Sequence, residues 1–463
     1  MSRFLFTTLQ SNDLGLLTRS LPIASELARR GHKIAFCSPG PAPRKLIAEA
    51  GFENLLPRHP VYHLMTAEPT LRGLYSLTRS AAFKRDFRNV FSFLRRLIPT
   101  LPFKMPTPTA EIWNLDHISA MSGMMNERFV RTQVEALMGT MVEWQADAIV
   151  DFWNPLACMA ARVLGKPLIT VIQADMHPDS RGFIWWKDPP PDVPSPVRAI
   201  NRVLAAHRLE PVGSTSELCM GDLTLVMGSP ETDPLPGSTD VTYIGPILWQ
   251  NPKDRLPDWA DQLREDQPVV WVYSGNPQYM PGIRTPVDSA VILKACIAAL
   301  ADREVQVVLT TGHHALPKQF LPLPANFRYE DYVPGLAMAE RSDLLVHHGG
   351  YGSCQTGLYT GTPAVIIPTF SERESNARRV AAAGAGEYLV PREDKSWRKV
   401  IQPQVLWAEI ERVLSDPAYK ANAMRIRKEL RSYGGASSAA DRIEAFCRSR
   451  GKYIIPTRHP RDR

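Results

Sequence analysis

The stretch of residues 344–376, LLVHHGGYGSCQTGLYTGTPAVIIPTFSERESN, constrains the fold more than any other part of the sequence. Its two apolar runs, residues 344–346 and 364–367, have the composition of buried parallel strands. Between them a glycine-rich turn precedes a helix, which is predicted to end at Gly361. Strand, turn, helix and strand in this order predict part of a doubly wound α/β sheet.

The glycine turn is a candidate anion site. Ser353 is the predicted N-cap of the helix, whose free N–H groups and dipole point at the turn, and His348 adds a donor that can be charged. A structural turn with a hydrogen-bonded histidine explains the same residues, because a glycine pattern alone is weak evidence. A second polar cluster, Glu372, Arg373 and Asn376, follows the next strand. Both clusters then lie at the carboxyl ends of neighbouring strands, which favours a ligand site.

The same order of elements recurs nearer the N-terminus. We predict a strand over residues 2–9, a helix over 20–30 and a strand over 33–37, and again a strand over 148–151, a helix over 155–164 and a strand over 168–172. Residues 248–267 are polar and contain two prolines, with a third at residue 268, which is typical of a linker. A chain of 463 residues is long enough for two such domains.

Composition sets the outer bounds. The net charge of +7 suits phosphate-bearing ligands or an anionic membrane surface, but it is too small to predict nucleic-acid binding. No run approaches the roughly 20 apolar residues of a membrane span, and the first residues lack the features of a signal peptide. Six scattered cysteines fit a reducing cytoplasm, where we expect the protein to be located. A basic segment over residues 71–97 is either a solvated helix face or a peripheral membrane contact.

Two segments carry a family resemblance. Residues 348–353, HGGYGS, followed by residues 368–376, PTFSERESN, resemble the donor signature of the family 1 nucleotide-sugar glycosyltransferases, which have the GT-B fold. Residues 22–32, PIASELARRGH, are similar to the first helix of that family. The resemblance implies an α/β protein of two doubly wound, Rossmann-like domains that face each other across a cleft. The expected parts are an acceptor-binding domain over 1–248, a linker over 249–268, a nucleotide-sugar domain over 269–440, and a C-terminal helix with a basic tail over 441–463 that packs back on the first domain.

The resemblance also implies donor contacts. In that family the histidine and the turn after it hold the pyrophosphate, an acidic–Gln pair grips the sugar hydroxyls, and an aromatic residue stacks on the base. The matching positions here are Gly275, Asn276, Tyr332, Val333, His348, Gly349, Gly350, Gly352, Ser353, Glu372, Arg373 and Asn376. Two positions depart from the family: the acidic–Gln pair is Glu372–Arg373, and Thr356 replaces the acid that often binds the ribose. The first departure indicates a different sugar, such as an N-acetylated, deoxy or acidic one.

The catalytic base of the family is absent from its usual place. Counting back from Gly31–His32, the family's loop histidine falls on Leu16. Asp13, in the same loop, is the best replacement by location, although an aspartate that only shapes the loop explains it equally. Asp151 matches the aspartate that orients the histidine in the family, and its alternative role is a helix N-cap.

The resemblance implies transfer of a sugar from a UDP- or dTDP-linked donor with inversion of the anomeric carbon, and we expect this transfer to be metal-independent. We expect no metal site and no cofactor besides the nucleotide sugar as co-substrate, because no Asp-x-Asp pair is placed to bind a divalent ion. Trp153, Trp185 and Trp186 are candidate aromatics of an acceptor pocket, with core or loop packing as the alternative. The expected acceptor is a small lipophilic or aromatic molecule, and the expected assembly is a monomer or homodimer.

Three other functions stay open from the sequence. The missing histidine is compatible with an inactive relative that binds a sugar nucleotide without transfer. A sugar-nucleotide epimerase of the same fold would isomerise or hydrolyse its donor without an acceptor. An NAD-linked dehydrogenase also uses a doubly wound sheet, but no Gly-x-Gly-x-x-Gly follows the first strand here.

Overall fold

The structure is a computed structural model. It describes residues 1–9, 14–59, 62, 95, 98–101, 105–106, 109, 111–251, 254–275, 290–393 and 399–451. Asp13, Asn276, most of the basic segment over 71–97 and the tail beyond residue 451 lie outside the described residues.

The first domain is built on a seven-stranded parallel sheet. Its strands are β1 (Arg3–Thr8), β2 (Lys33–Cys37), β3 (Glu53–Asn54), β4 (Ala148–Phe152), β5 (Leu168–Ile172), β6 (Leu223–Met227) and β7 (Thr242–Gly245), in the spatial order β3-β2-β1-β4-β5-β6-β7. The helices are α1 (Gly15–Arg29), α2 (Pro41–Glu49), α3 (Leu115–Ser119), α4 (Glu127–Glu143), α5 (Pro155–Val163), α6 (Val197–Ala206) and α7 (Thr215–Leu218). The near-continuous apolar runs of β1, β4 and β5 are buried, as expected of strands covered on both faces.

The second domain repeats this plan with six parallel strands. They are β8 (Val269–Tyr273), β9 (Gln306–Thr310), β10 (Phe327–Glu330), β11 (Leu344–His347), β12 (Ala364–Ile366) and β13 (Gly386–Tyr388), in the order β10-β9-β8-β11-β12-β13. A small antiparallel pair, β14 (Arg392–Glu393) and β15 (Lys399–Val400), follows. The helices are α8 (Ala290–Leu300), α9 (Gly335–Glu340), α10 (Tyr351–Thr360), α11 (Ser371–Ala382), α12 (Pro403–Ser415), α13 (Pro417–Leu430) and α14 (Gly435–Gly451).

Two local predictions are wrong. Helix α1 begins at Gly15, not at residue 20, so Leu16 lies in its first turn and is buried in the core of the first domain. The strand predicted over residues 327–333 ends at Glu330, because Asp331 is already in a bend and its carbonyl oxygen accepts a hydrogen bond from the amide of His313. Helix and strand ends are the least reliable part of a sequence-based assignment.

The last helix lies against the first domain. Asp441 and Glu444 of α14 form ion pairs with Arg30 at the end of α1, with N–O distances of 2.6 and 3.1 Å. Ala439, Ala440 and Ile443 of the same helix belong to the apolar core of the first domain. Among the helices that the structure describes, none is long and apolar enough to cross a membrane.

Candidate functional site

The candidate donor site lies at the topological switch point of the second sheet. Strand β8 pairs with β9 on one side and with β11 on the other, and Tyr273 at the end of β8 is in register with His347. The chain leaves these two strands in opposite directions along the sheet, which opens a crevice at their carboxyl ends. Gly275, with φ of +73°, and His348 meet there: a Cβ atom on Gly275 would lie 3.1 Å from Nδ1 of His348.

Helix α10 opens into this crevice from the glycine turn. Its N-cap is Gly350, so the predicted N-cap Ser353 is wrong: Ser353 lies inside the first turn. No side chain caps the first N–H groups of the helix within the described structure. Gly352 faces open space, with nothing within 4 Å of where its Cβ atom would be. The uncapped amides and the helix dipole at the end of β11 therefore have the geometry that can bind an anion.

Burial favours the neutral form of both histidines of the turn. Burial lowers the pKa of His347 to about 3, and its Nδ1 accepts a hydrogen bond from the amide of Gly349 at 3.1 Å. Burial and the nearby charge of Arg373 lower the pKa of His348 well below its usual range. Burial therefore favours the neutral form of His348, and the charge that it can carry stays a prediction. A neutral imidazole still offers one N–H donor to a ligand.

Helix α11 brings the second predicted cluster to the same edge. Asn376 donates through Nδ2 to the carbonyl oxygen of Gly349 at 3.0 Å and to Oε1 of Glu372 at 2.9 Å. Nη1 of Arg373 donates to Oγ1 of Thr369 at 2.9 Å. The α11 cluster is thus hydrogen-bonded directly to the glycine turn.

Tyr332 lies in a loop on the other side of the crevice. Its ring stacks on the imidazole of His313 with a centroid distance of 4.0 Å and an interplanar angle of 14°. Its hydroxyl donates to Oδ2 of Asp254 in the linker at 2.6 Å. One ring face is thus covered by His313, which was not predicted, and Val333 beside it is buried.

Asp151 is held inside the first domain. It is 1% exposed, and its carboxylate accepts hydrogen bonds from Oγ1 of Thr7, from the amide of Asn154 at 3.0 Å and from Sγ of Cys158 at 3.3 Å. Burial raises its pKa to about 7. The alternative role as a helix N-cap is wrong, because Asn154 caps α5 by accepting from the amide of Ala157.

The three tryptophans predicted for the acceptor pocket have different surroundings. Trp153 is buried and stacks on Phe183. Trp185 donates through Nε1 to Oγ of Ser375 on α11 at 3.1 Å, and Arg378 of the same helix lies over the ring of Trp186 at 4.1 Å. Trp185 and Trp186 therefore contact the second domain.

A buried charged cluster between the domains was not predicted. Nη1 of Arg379 lies 3.5 Å from Oδ1 of Asp233 and 3.9 Å from Oδ2 of Asp175, and Nε2 of Gln355 donates to Oδ2 of Asp233 at 3.1 Å. The two aspartates follow β5 and β6 of the first sheet, while Gln355 and Arg379 belong to α10 and α11. The only signal in the sequence is an acid shortly after each of two strands. Within the described residues, no three histidine, cysteine or acidic side chains are grouped to hold a metal ion.

Comparisons with known proteins agree with this geometry. Residues 294–446 match the family model described as "Erythromycin biosynthesis protein CIII-like, C-terminal domain". The 4'-demethylrebeccamycin synthase of Lentzea aerocolonigenes is 32% identical over 208 residues, which are 45% of this chain and 45% of that protein. The alignment with the crystal structure of CalG4, the calicheamicin glycosyltransferase, covers 98% of this chain and 100% of that one, with a TM-score of 0.66 and 21% identity. The alignment with the glycosyltransferase VinC in complex with dTDP covers 96% of this chain and 100% of that one, with a TM-score of 0.62 and 18% identity.

These findings confirm the resemblance to the family 1 glycosyltransferases and the predicted GT-B fold. The chain spans less than half the length of the first two curated relatives that it matches. The alignments cover 45% of one relative and 37% of the other.

Proposed function

Starting from this kinship with the family 1, GT-B glycosyltransferases, we propose that the protein transfers a sugar from a nucleotide sugar to a small acceptor. One observation carries the proposal: the uncapped start of α10, Gly275, His348 and Arg373 converge on the switch point of the second sheet. A nucleoside diphosphate is the ligand that this arrangement fits, because its charge needs backbone N–H groups and a nearby cation. The relative VinC was crystallised with dTDP, which supports a dTDP- or UDP-linked donor.

In this proposal, loops and helices of the second domain hold the donor. We assign the diphosphate to the amides at Gly350–Gly352 and to His348, and the sugar hydroxyls to Glu372. Cβ of Arg373 would lie 3.2 Å from a Cβ atom on Gly349, and we assign its guanidinium to the diphosphate side of the site. Tyr332 and Val333 receive the base, with His313 supporting the ring of Tyr332 from behind.

The chemistry follows from the charge that develops on the leaving group. As the sugar–phosphate bond breaks, negative charge grows on the diphosphate, and the start of α10 and Arg373 stabilise it without a metal ion. A single displacement of this kind inverts the anomeric carbon and requires a base that takes the proton of the acceptor hydroxyl. Leu16 cannot serve, so Asp13 keeps this role in the proposal.

For the acceptor, we propose only a broad chemical class. The matching family model and the structure of CalG4 carry the names of natural-product pathways, and this supports a small lipophilic or aromatic acceptor. All six cysteines are free thiols, which supports a cytoplasmic enzyme. The basic segment over 71–97 lies mostly outside the described residues, so a peripheral membrane contact remains a prediction.

A transfer assay tests the proposal. The protein is incubated with UDP- and dTDP-linked hexoses and a panel of phenolic and polyketide-like acceptors, and the release of nucleoside diphosphate is measured with and without acceptor. We expect acceptor-dependent release that persists in excess EDTA, and a product whose anomeric configuration is opposite to that of the donor by NMR. Release or isomerisation without acceptor indicates an epimerase, and binding without release indicates the inactive relative that Leu16 keeps open.

A further inference from the structure

The inference concerns helix α11, which connects the two domains. The helix carries three side chains at intervals of four residues, Ser371, Ser375 and Arg379, and this spacing places them on one face. We call these three residues the α11 stripe. Each of them contacts the first domain, although the helix belongs to the second.

The contacts of the α11 stripe run along most of the helix. Oγ of Ser371 accepts from the amide of Ile112 at 2.9 Å and donates to its carbonyl oxygen at 2.6 Å. Ser375 accepts from the indole of Trp185 and lies 3.5 Å from Oδ2 of Asp175. Arg379 lies between the carboxylates of Asp175 and Asp233, whose side chains are completely buried.

The next residues of the same helix hold the donor turn. Asn376 follows Ser375 and bonds to Gly349, and Glu372 follows Ser371 and bonds to Asn376. Helix α11 therefore has one face on the first domain and its adjacent face on the glycine turn. A helix is stiff over three turns, so a shift of one face moves the other with it.

A buried charge pair suits this role because it fixes a geometry. Arginine presents a planar fork of donors that two carboxylates can hold in one orientation, and an unpaired charge in the same place is strongly disfavoured. Arg19 of α1 adds a second cation on this side, with its guanidinium 5.1 Å from the ring centroid of Tyr351 at the start of α10. The charged groups that face Arg379 are thus Asp175 and Asp233, with Arg19 beyond Tyr351.

We propose that Arg379 is a positioning residue, through which the first domain fixes the donor-binding turn by way of helix α11. Two aspartates of the acceptor-side domain thereby set the affinity for the nucleotide sugar. This inference rests on the proposed function, and it adds that donor binding and docking of the domains stabilise each other. Coupling of this kind is reciprocal.

The test compares a buried and an exposed interdomain ion pair. Arg379→Gln and Asp233→Asn break the buried pair. Arg425→Gln breaks the pair between Arg425 of α13 and Glu231 of the first domain, which also joins the domains but does not touch α11. Affinity for UDP-glucose and dTDP-glucose is measured by calorimetry, and amide exchange of residues 371–382 is measured by mass spectrometry without ligand.

We expect at least tenfold weaker binding and at least tenfold faster exchange in α11 for Arg379→Gln and Asp233→Asn, and changes below twofold for Arg425→Gln. Arg379→Lys, which keeps the charge, should recover part of the affinity. Should the charge variants fail to fold, Ser375→Ala keeps every charge, removes only the hydroxyl contacts with Trp185 and Asp175, and should still accelerate exchange in α11. Unchanged exchange and unchanged affinity in the buried-pair variants overturn the inference. Absence of nucleotide-sugar binding by the unaltered protein overturns the proposed function instead, and the exchange data then still decide whether Arg379 positions α11.

Discussion

Nε2 of His348 lies 2.5 Å from the point that a Cβ atom would occupy on Gly350. The imidazole therefore lies directly over the N-cap of α10, in space that only a glycine leaves open. His348 is itself buried, and its pKa is low. The ring thus lies beside the uncapped amides of the helix, and any side chain at residue 350 would displace it.

We predict that Gly350→Ala displaces His348 and weakens nucleotide-sugar binding. The added methyl group forces the ring or the turn to move, which costs about 1–3 kcal/mol in a packed interior. The midpoint of thermal unfolding should fall slightly, and the Kd for UDP-glucose or dTDP-glucose should rise by about tenfold or more, since 1.4 kcal/mol is a factor of ten.

Gly352→Ala is the matched control for the folding part of this prediction. Nothing lies within 4 Å of the new methyl group, and the residue is already helical. Its thermal midpoint should equal or exceed that of the unaltered protein. An equal loss of stability in both variants would contradict the account of Gly350 as a packing position.

The local parts of the site were predictable from sequence, because they depend on residues close together in the chain. The glycine turn, the αL stop at Gly361 (φ of +74°) and the two strands around α10 appear where the pattern predicts them. The N-cap was misplaced because the sequence does not show that Gly350 already leaves the helical conformation. The interdomain cluster was missed for another reason: Asp233 and Arg379 are 146 residues apart, and no local pattern encodes their contact.

The protonation state of His348 could not be predicted from the sequence either. His348 is next to an apolar strand, and only the folded structure shows that its ring is buried beside Arg373. The same holds for Tyr332, whose partner His313 approaches from the loop after β9. In both cases, the environment of a side chain with a predicted role depends on a residue that is distant in sequence or belongs to another loop.

Arg373→Gln should weaken binding of the nucleoside diphosphate itself. Glutamine is what the resemblance leads one to expect at this position, so the variant keeps hydrogen-bonding capacity and removes the charge. Loss of a charged hydrogen bond is worth about 1.5–3 kcal/mol, which is roughly 10- to 150-fold in affinity. The Kd of UDP and of dTDP, measured by calorimetry at two salt concentrations, should rise and depend less on salt.

Arg378→Gln provides the comparison, because Arg378 belongs to the same helix but lies over the ring of Trp186 and pairs with Glu374. Its effect on the Kd of UDP should stay within a factor of two or three. If Arg373→Gln weakens only nucleotide sugars and leaves UDP and dTDP unaffected, Arg373 contacts the sugar and not the diphosphate.

Asp151 should make folding stability depend on pH in an unusual direction for a carboxylate. Burial raises its pKa from 3.8 to about 7, so the folded protein holds a proton that the unfolded chain has already released. The stabilising contribution is complete below about pH 4 and is lost as the pH rises to about 7, by up to about 1.4 kcal/mol per pH unit.

Urea unfolding of the unaltered protein and of Asp151→Asn between pH 4.5 and pH 8 measures this contribution. Asp175 and Asp233 titrate in both proteins and therefore cancel in the difference. We expect the unaltered protein to lose more free energy of unfolding than Asp151→Asn as the pH rises through this range. A difference between the two proteins that stays constant with pH would show that Asp151 does not titrate in the folded state.

Asp13→Asn completes the set, because it tests the proton transfer that the proposed function assigns to Asp13. Leu16 is buried in the first turn of α1 and has no proton acceptor, while Asp151 is enclosed by its own hydrogen bonds. Loss of a general base costs about 10²–10⁴-fold in turnover. Since Asp13 belongs to the acceptor-side domain, the Kd of the donor should change by less than twofold while kcat falls by that factor. The two effects separate the base from a residue that only shapes the loop, and unchanged kcat in Asp13→Asn would remove Asp13 from the mechanism.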